Sequence, residues 1–187
     1  LFAYNQEDYI RQAVEGAFAQ TYEPLEIILS DDCSKDKTFE IMQEMVAAYK
    51  GPHQIKLRRN QVNQGLIEHV NLVLGLAAAD FIVLAAGDDV SEPNRSAVIA
   101  QEFLQNPACQ LLHSSVREMD EQGNLQGLGH PPAHMHKLDL EKFAKSQSIY
   151  IGATGAIRKN LFTFFGPITE NETYEDLTLG FRAALLD

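Results

Sequence analysis

The sequence predicts an α/β protein with a mostly parallel central sheet and helices on both faces of that sheet. Short apolar runs of strand length alternate along the chain with segments whose apolar residues repeat at three and four. Two of the strand-like runs end in paired carboxylates, and a length of 187 residues suits a single domain. Ligands of such sheets bind beyond the carboxyl ends of the strands, so the acidic strand ends are the first candidates for function.

The first part of the chain carries the clearest alternation. A strand is expected at residues 1–4, followed by a helix over residues 10–18 with Asn5 and Asp8 as its capping pair. Further strands are predicted at residues 25–30, 54–58, 80–86 and 110–115. Helices are predicted between them at residues 39–49, 66–77 and 92–104.

The rest of the chain is less regular. Residues 127–136, GLGHPPAHMH, are rich in Gly, Pro and His and predict a loop. Helices are expected at residues 138–145 and 174–186, with a strand at residues 151–157 between them. The apolar start without a lead-in, and the helix that runs into the last residue, predict a natural protein that continues beyond both ends.

The composition excludes several classes of protein. Hydrophobic residues make up 45% and charged residues 22%, which argues against disorder, collagen and coiled coil. The 26 acidic and 15 basic residues give a net charge of -11, which opposes nucleic-acid binding. Cys33 and Cys109 are too few for a disulfide framework or a Cys-rich zinc site. The sequence has no apolar run of transmembrane length, and we expect a soluble, cytoplasmic protein.

Asp88 and Asp89 follow a predicted buried strand directly. Two adjacent carboxylates without a basic neighbour raise each other's pKa unless a cation neutralises them. Mg²⁺ or Mn²⁺ is typically held by one or two carboxylates together with substrate phosphates. An acidic pair also suits the N-terminal turn of the helix that follows, and the dipeptide alone leaves both interpretations open.

A second acidic pair, Asp31 and Asp32, ends another predicted strand at the same expected edge. The Asp32 carboxylate can accept a hydrogen bond from a base N–H, whereas Ser34 and Asp36 are typical of a loop-closing turn. Two basic residues, at positions 58 and 59, are interpreted as a solvated strand end rather than as a phosphate contact.

A third acidic pair, Glu175 and Asp176, opens the last predicted helix. Acidic residues are favoured there by the helix dipole, and a carboxylate in a crevice also serves as a general base. We expect Asp32, Asp89 and Asp176 to surround one pocket that holds a divalent cation.

Five motifs occur together and in order in this chain. They are Tyr-Asn at residues 4–5, Gln-Thr-Tyr at 20–22, Asp-Asp-x-Ser-x-Asp-x-Thr at 31–38, and the stretches NQVNQG at 60–65 and AAGDDVSEPNR at 85–95. This combination resembles the N-terminal catalytic domain of family 2 glycosyltransferases, which have the GT-A fold. The chain departs from the family at Cys33, where Gly or Asn is usual, and at residues 87–89, where Gly-Asp-Asp replaces a strict Asp-x-Asp.

The resemblance implies roles for five residues. Tyr4 and Asp32 would contact the base of a nucleotide, and Asp88 would lie at the ribose. Asp89 would bind the Mn²⁺ or Mg²⁺ that bridges the diphosphate, and Asp176 would be the catalytic base. The chain would then be one GT-A domain, with residues 1–115 as the nucleotide-sugar-binding half and 116–187 as the acceptor-side half.

The activity implied is that of an inverting, metal-dependent glycosyltransferase. It would move a sugar from a nucleoside diphosphate sugar, UDP-linked, to a hydroxyl of a glycan or lipid-linked acceptor in surface-glycan or polysaccharide synthesis. The same resemblance implies work at the cytoplasmic face of a membrane, with peripheral association through regions outside this chain.

Two alternatives remain open from the sequence. The first is that the chain is a non-catalytic module that binds nucleotide sugars without transferring them. A phosphatase of the haloacid dehalogenase type also carries a late Gly-Asp-Asp, which GDDVSE imitates, but that class needs an aspartyl nucleophile on its first strand, where this chain has FAYN.

Overall fold

The computed structural model describes residues 1–120, 123–129, 152–169 and 174–186. The strands are β1 Phe2–Ala3, β2 Glu26–Asp31, β3 Gln54–Arg59, β4 Phe81–Val83, β5 Leu111–His113, β6 Val116–Met119, β7 Leu125–Gly129 and β8 Gly155–Arg158. The helices are α1 Ile10–Phe18, α2 Thr38–Ala48, α3 Leu66–Leu76, α4 Arg95–Gln105, α5 Lys159–Phe165 and α6 Glu175–Leu185, and a short 3₁₀ turn covers Gly152–Thr154.

The central sheet confirms the predicted α/β architecture. Strands β1, β2 and β3 are parallel, and β8 lies between β4 and β5 and is antiparallel to both. A parallel bridge between Phe2 and Ala86 joins the two groups of strands. The strand order is therefore β3-β2-β1-β4-β8-β5, and β8 is the antiparallel member of this otherwise parallel set.

Helices cover both faces of the sheet, as predicted. Successive side chains of a strand point to opposite faces, and β2 shows this clearly. Ile27 and Leu29 pack in one buried cluster with residues of α1 and α2, whereas Ile28 packs with Val73 of α3 on the other side. Buried apolar area on both faces of β2 explains its continuous run of aliphatic residues.

Two local predictions were wrong, and one element was missed. Asn5 does not cap α1: the capping position is occupied by Tyr9 without a side-chain hydrogen bond, and Asn5 Oδ1 instead accepts a hydrogen bond from the Lys35 N–H at 2.8 Å. The end of β7 occupies residues 127–129, which were predicted as loop, because exposed hairpin strands need no apolar alternation. Helix α5 was not predicted. The predicted helix at 138–145 lies outside the described residues.

None of the helices in the described part of the chain combines the length and the hydrophobicity of a membrane span.

Candidate functional site

The carboxyl ends of β1, β2 and β4 meet at one edge of the sheet. Ala3 is in register with Asp31, and the Asp32 N–H donates to the Ala3 carbonyl at 2.9 Å. Phe2 is in register with Ala86. Because Tyr4, Asp32 and Asp88 each come one or two residues after these paired positions, the structure brings them to the same edge, where Tyr4 is 42% exposed.

The Asp32 carboxylate holds the loop between β3 and α3. Its Oδ1 accepts hydrogen bonds from Asn60 Nδ2 at 2.5 Å and from the Gln64 N–H at 2.9 Å, and its Oδ2 accepts one from the Gly65 N–H at 2.9 Å. Gly65 has a φ of 80°, which favours glycine. A carboxylate has about four acceptor positions, and these three hydrogen bonds use three of them, two on Oδ1 and one on Oδ2.

A buried polar network lies next to Asp32. Arg58 donates to Ser30 Oγ at 2.5 Å and also to Asn60 Oδ1, and Ser30 Oγ lies 2.6 Å from His69 Nε2. The Ser30 hydroxyl accepts from Arg58 and keeps a second lone pair and its own proton, so the donor in its contact with His69 Nε2 is set by the imidazole tautomer. Burial lowers the pKa of His69 below its ordinary value, and the Arg58 charge acts in the same direction.

The interpretation of the two arginines as a solvated strand end holds in part, because both are partly exposed but both also bind polar groups of the protein. Arg58 belongs to the network just described, and Arg59 Nε lies 3.1 Å from the fully buried Asp31 carboxylate. Two adjacent arginines at a strand end look solvated in sequence because their partners lie on another strand. Asn60 in NQVNQG directly follows the two arginines and accepts a hydrogen bond from Arg58, so it was the sequence signal that could have indicated these contacts.

Most side chains of the motif at residues 31–38 hold the backbone of the first loop. Ser34 Oγ, Thr38 Oγ1 and Asp36 Oδ2 accept hydrogen bonds from the N–H groups of residues 5, 6 and 7, at 2.8, 2.7 and 3.0 Å. The predicted turn-forming role of Ser34 and Asp36 agrees with these contacts. Cys33 has a φ of 62°, a conformation that explains why Gly or Asn suits this position.

Asp88 and Asp89 are exposed and follow a tightly packed glycine. A Cβ on Gly87 would lie 3.0 Å from Ile10 Cδ1 and 3.1 Å from Ala3 Cβ, so the chain passes too close to α1 and β1 for a side chain. The pKa of Asp89 is raised, first by partial burial of the carboxyl and then by the charge of Asp88, while Arg95 opposes the rise.

Arg95 connects three chain segments beside Asp89. Its Nη1 donates to the Leu84 carbonyl at 2.9 Å and to Ser91 Oγ at 3.2 Å, and its Nη2 donates to the Ala153 carbonyl at 3.0 Å. Sequence reasoning missed this residue. The signal was available, because a cation in the first turn of a helix is unfavourable to the helix dipole and needs another reason to be there.

The antiparallel strand β8 brings Asp176 to the same edge. The Leu84 N–H donates to the Gly155 carbonyl at 2.9 Å, so the turn before β8 lies at the carboxyl end of β4. This turn packs against the start of α6, where Gly152 is in close contact with Glu175 and near the Asp176 Cβ. Burial raises the pKa of both carboxyls, Glu175 and Asp176, a direction that suits a general base.

The carboxylates after β4 fit a hard divalent cation. Burial and the neighbouring Asp88 disfavour the ionised form of Asp89, and a cation at this pair would relieve both effects. The described ranges contain no group of three or more His, Cys, Asp or Glu side chains arranged around a metal. The expectation that Asp32, Asp89 and Asp176 surround a single cation is therefore corrected. Asp32 is occupied with backbone and amide donors, so a cation at Asp89 would draw its remaining ligands from diphosphate and water.

A cavity of about 360 Å³ lies between the first half of β2 and β4, and Ser91 and Arg95 are among its lining residues. Its lining is mostly apolar and includes none of the five residues assigned from the sequence. The candidate site is the open acidic edge rather than this cavity.

Comparison with solved structures gives the fold. S. aureus TarS in complex with UDP-GlcNAc matches 99% of this chain and 52% of its own at a TM-score of 0.70 and 20% identity. The mannosyltransferase PcManGT from Pyrobaculum calidifontis, in complex with GDP-Man and Mn²⁺, matches 95% of this chain and 48% of its own at a TM-score of 0.71 and 16% identity. At such identities the likeness shows the fold alone, and that fold is the GT-A glycosyltransferase fold.

Sequence comparison gives the family. The chain belongs to glycosyl transferase family 2, whose family model matches residues 1–166. Chondroitin synthase of Escherichia coli is 31% identical over 128 residues, which are 68% of this chain and 18% of the synthase. The chain spans 35% or less of the other curated relatives compared with it.

Proposed function

We propose that this chain is the donor-binding and catalytic part of an inverting, metal-dependent glycosyltransferase that uses a UDP-linked sugar. The observation that carries the proposal is the shared sheet edge, which holds Tyr4, Asp32 and the Asp88–Asp89 pair and receives Asp176 through the turn before β8. Nucleotide recognition, a cation position and a base then lie on one side of the molecule.

The donor assignments follow from the hydrogen-bonding groups. The remaining acceptor position on the buried Asp32 suits the imide N–H of uracil, and the exposed Tyr4 ring beside it offers a stacking surface. Asp88 would accept hydrogen bonds from the ribose hydroxyls. The UDP-GlcNAc complex of TarS supports a UDP donor, although the GDP-Man complex of PcManGT shows that the fold accepts another base.

The transfer step needs a base and a leaving group. An acceptor hydroxyl oxygen attacks the anomeric carbon, its proton passes to the Asp176 carboxylate, and the bond from that carbon to the diphosphate oxygen breaks. A single displacement of this kind inverts the anomeric configuration. A divalent cation bound at Asp89 would supply neutralisation of the charge on the departing diphosphate. The raised pKa of Asp176 favours proton uptake by this group.

The acceptor is proposed to be a glycan or lipid-linked hydroxyl in polysaccharide or surface-glycan synthesis. The likeness to a chondroitin synthase supports this class of product. Action at the cytoplasmic face of a membrane is part of the same proposal.

Thermal unfolding with UDP tests the donor site. We expect UDP with Mn²⁺ to raise the melting temperature and UDP with EDTA to raise it much less. The reason is that EDTA would remove the cation that Asp89 would hold together with the nucleotide. Asp89→Ala should lose most of the metal-dependent shift. Asp80→Ala, an exposed carboxylate at the opposite end of β4, is the matched control and should keep the shift.

Two results would argue against the proposal. Absence of a metal-dependent shift at millimolar UDP would remove the metal-dependent donor site. UDP binding without any transfer from a panel of nucleoside diphosphate sugars would favour the non-catalytic binding module.

A further inference from the structure

Arg95 is placed unlike an ordinary surface arginine. It occupies the first position of α4, where the helix dipole disfavours a cation, and burial lowers the pKa of its guanidinium. In compensation it donates to acceptors on three segments: the end of β4, the loop after Asp89, and the turn before β8. Its Nε is buried without a protein partner.

The three segments held by Arg95 are those that carry the proposed chemistry. The Leu84 carbonyl and Ser91 lie on either side of Asp88 and Asp89 in the chain. Ala153 lies in the turn whose neighbour, Gly152, contacts Glu175 and lies near Asp176. A single planar guanidinium therefore joins the loop that carries Asp89 to the turn that packs against the start of α6.

We propose that Arg95 is a positioning residue that fixes the Asp89 loop relative to the start of α6. This inference rests on the proposed function and adds a residue to it. Because a guanidinium holds three acceptors in a fixed plane, the loop at Asp89 is held in place before a cation and a diphosphate arrive. A lysine keeps the charge near Asp89 but replaces the planar fork with a single ammonium, so the tie between the two segments weakens.

Arg158 provides a matched control. Its guanidinium also donates to three carbonyls, those of Cys109, Phe103 and Asn106, at 2.7, 2.6 and 3.2 Å. It stacks on Phe81 and Phe103 at the far end of β8 from the acidic edge. Arg158→Lys should therefore lower the free energy of unfolding in the same way as Arg95→Lys, through loss of hydrogen bonds to carbonyls. It should leave the acidic edge unchanged.

The test measures how strongly Mn²⁺ and UDP help each other to bind. Calorimetric titration of UDP with and without Mn²⁺ gives the factor by which the metal tightens the nucleotide. We expect Arg95→Lys to reduce that factor by about tenfold while affinity for UDP alone stays within about twofold. Arg158→Lys should keep the wild-type factor even where its melting temperature falls. If Arg95→Lys does not fold, Ser91→Ala removes one of the three acceptors and should reduce the factor by about twofold to threefold.

The outcomes separate this inference from the proposed function. A wild-type chain in which Mn²⁺ does not tighten UDP would overturn both. A wild-type chain that shows the coupling, together with a folded Arg95→Lys that keeps it, would overturn only the role of Arg95. Equal losses in Arg95→Lys and Arg158→Lys would also overturn it, because the effect would then be general destabilisation.

Discussion

The Asp32 carboxylate holds the loop after β3, and we propose that it also binds the donor. Three of its acceptor positions are taken by Asn60, Gln64 and Gly65, which order the loop after β3. The neighbouring Asp31 is wholly structural, because Ser34 and Arg59 occupy it. Two adjacent aspartates of one motif therefore differ in role because they point to different surroundings.

Asp176→Asn should separate binding from catalysis. An asparagine keeps the size of the side chain but cannot take the proton of the acceptor hydroxyl. The transfer rate should therefore fall by about 10²-fold to 10⁴-fold. The rise in melting temperature with UDP and Mn²⁺ should be kept. Transfer is measured as UDP release from the donor sugar that gives the largest shift. Glu175→Gln is the neighbouring control and should retain far more activity. An Asp176→Asn chain with wild-type transfer would show that another group is the base.

Gly87→Ala should damage the site through packing. The added Cβ would press on Ile10 and Ala3, and we expect a loss of about 1–3 kcal/mol in the free energy of unfolding. The rise in melting temperature with UDP and Mn²⁺ should also be smaller. Gly75→Ala in α3, where a Cβ meets open space, should instead gain about 0.5–1 kcal/mol. Urea unfolding compares the two, and a neutral Gly87→Ala would contradict the close approach.

At the scale of elements, α1 and α4 are joined by one glutamine. The buried Gln20 Nε2 donates to the Gly16 carbonyl at 3.0 Å and to the Glu92 carbonyl at 2.8 Å, and its Oε1 accepts from the Ser96 N–H at 2.9 Å. The Thr21 N–H adds a bond to the Pro93 carbonyl at 2.8 Å. The Gln-Thr-Tyr motif therefore fixes the segment between Asp89 and α4, which explains its place in the family pattern.

Gln20→Ala should destabilise the chain by about 2–4 kcal/mol, because buried carbonyl and N–H groups lose their partners. Denaturant unfolding measures the change. Gln12→Ala on the exposed face of α1 is the control and should stay within about 0.5 kcal/mol of the wild type. A loss at Gln20 no larger than that at Gln12 would mean that water replaces its hydrogen bonds.

At the scale of the whole molecule, the two groups of strands meet at β1. The Phe2 N–H donates to the Ala85 carbonyl at 3.0 Å, and the Phe2 ring packs edge-on to His69 at 5.4 Å. The ring also contacts the two apolar clusters on the α3 side of the sheet. Because His69 lies in this junction, its protonation state affects the stability of the entire fold.

Stability should fall as the pH drops below the ordinary histidine pKa of about 6.5. Burial lowers the pKa of His69 in the folded chain, so the unfolded chain takes up a proton first and acid favours unfolding. Chemical unfolding from about pH 7.5 to about pH 5.5 measures the slope. His69→Gln should show a smaller slope. The other titrating groups are common to both chains, so the difference between the two slopes isolates His69. Equal slopes would contradict the neutral, buried His69.

Local pattern was enough to find strands whose apolar residues are continuous. The boundaries predicted for β2 differ from the structure by one residue at each end, and those for β3 by one residue at one end, because these strands are buried or regularly patterned. The hairpin β6–β7 and helix α5 were missed. The hairpin is mostly exposed and α5 is short, so neither carries a long periodic pattern.

The sequence by itself determined the family, the α/β order of elements and the acidic pairs at strand ends, because local periodicity and motif spacing are properties of neighbouring residues. Only the tertiary structure decided which polar residues of those motifs support the backbone and which face the edge. It also showed that the side chains of Arg95 and Gln20 donate to backbone carbonyls that lie far away in the sequence. These contacts join residues far apart in sequence, and the antiparallel β8 that carries the turn toward Asp176 is set by strand pairing, which no local pattern encodes.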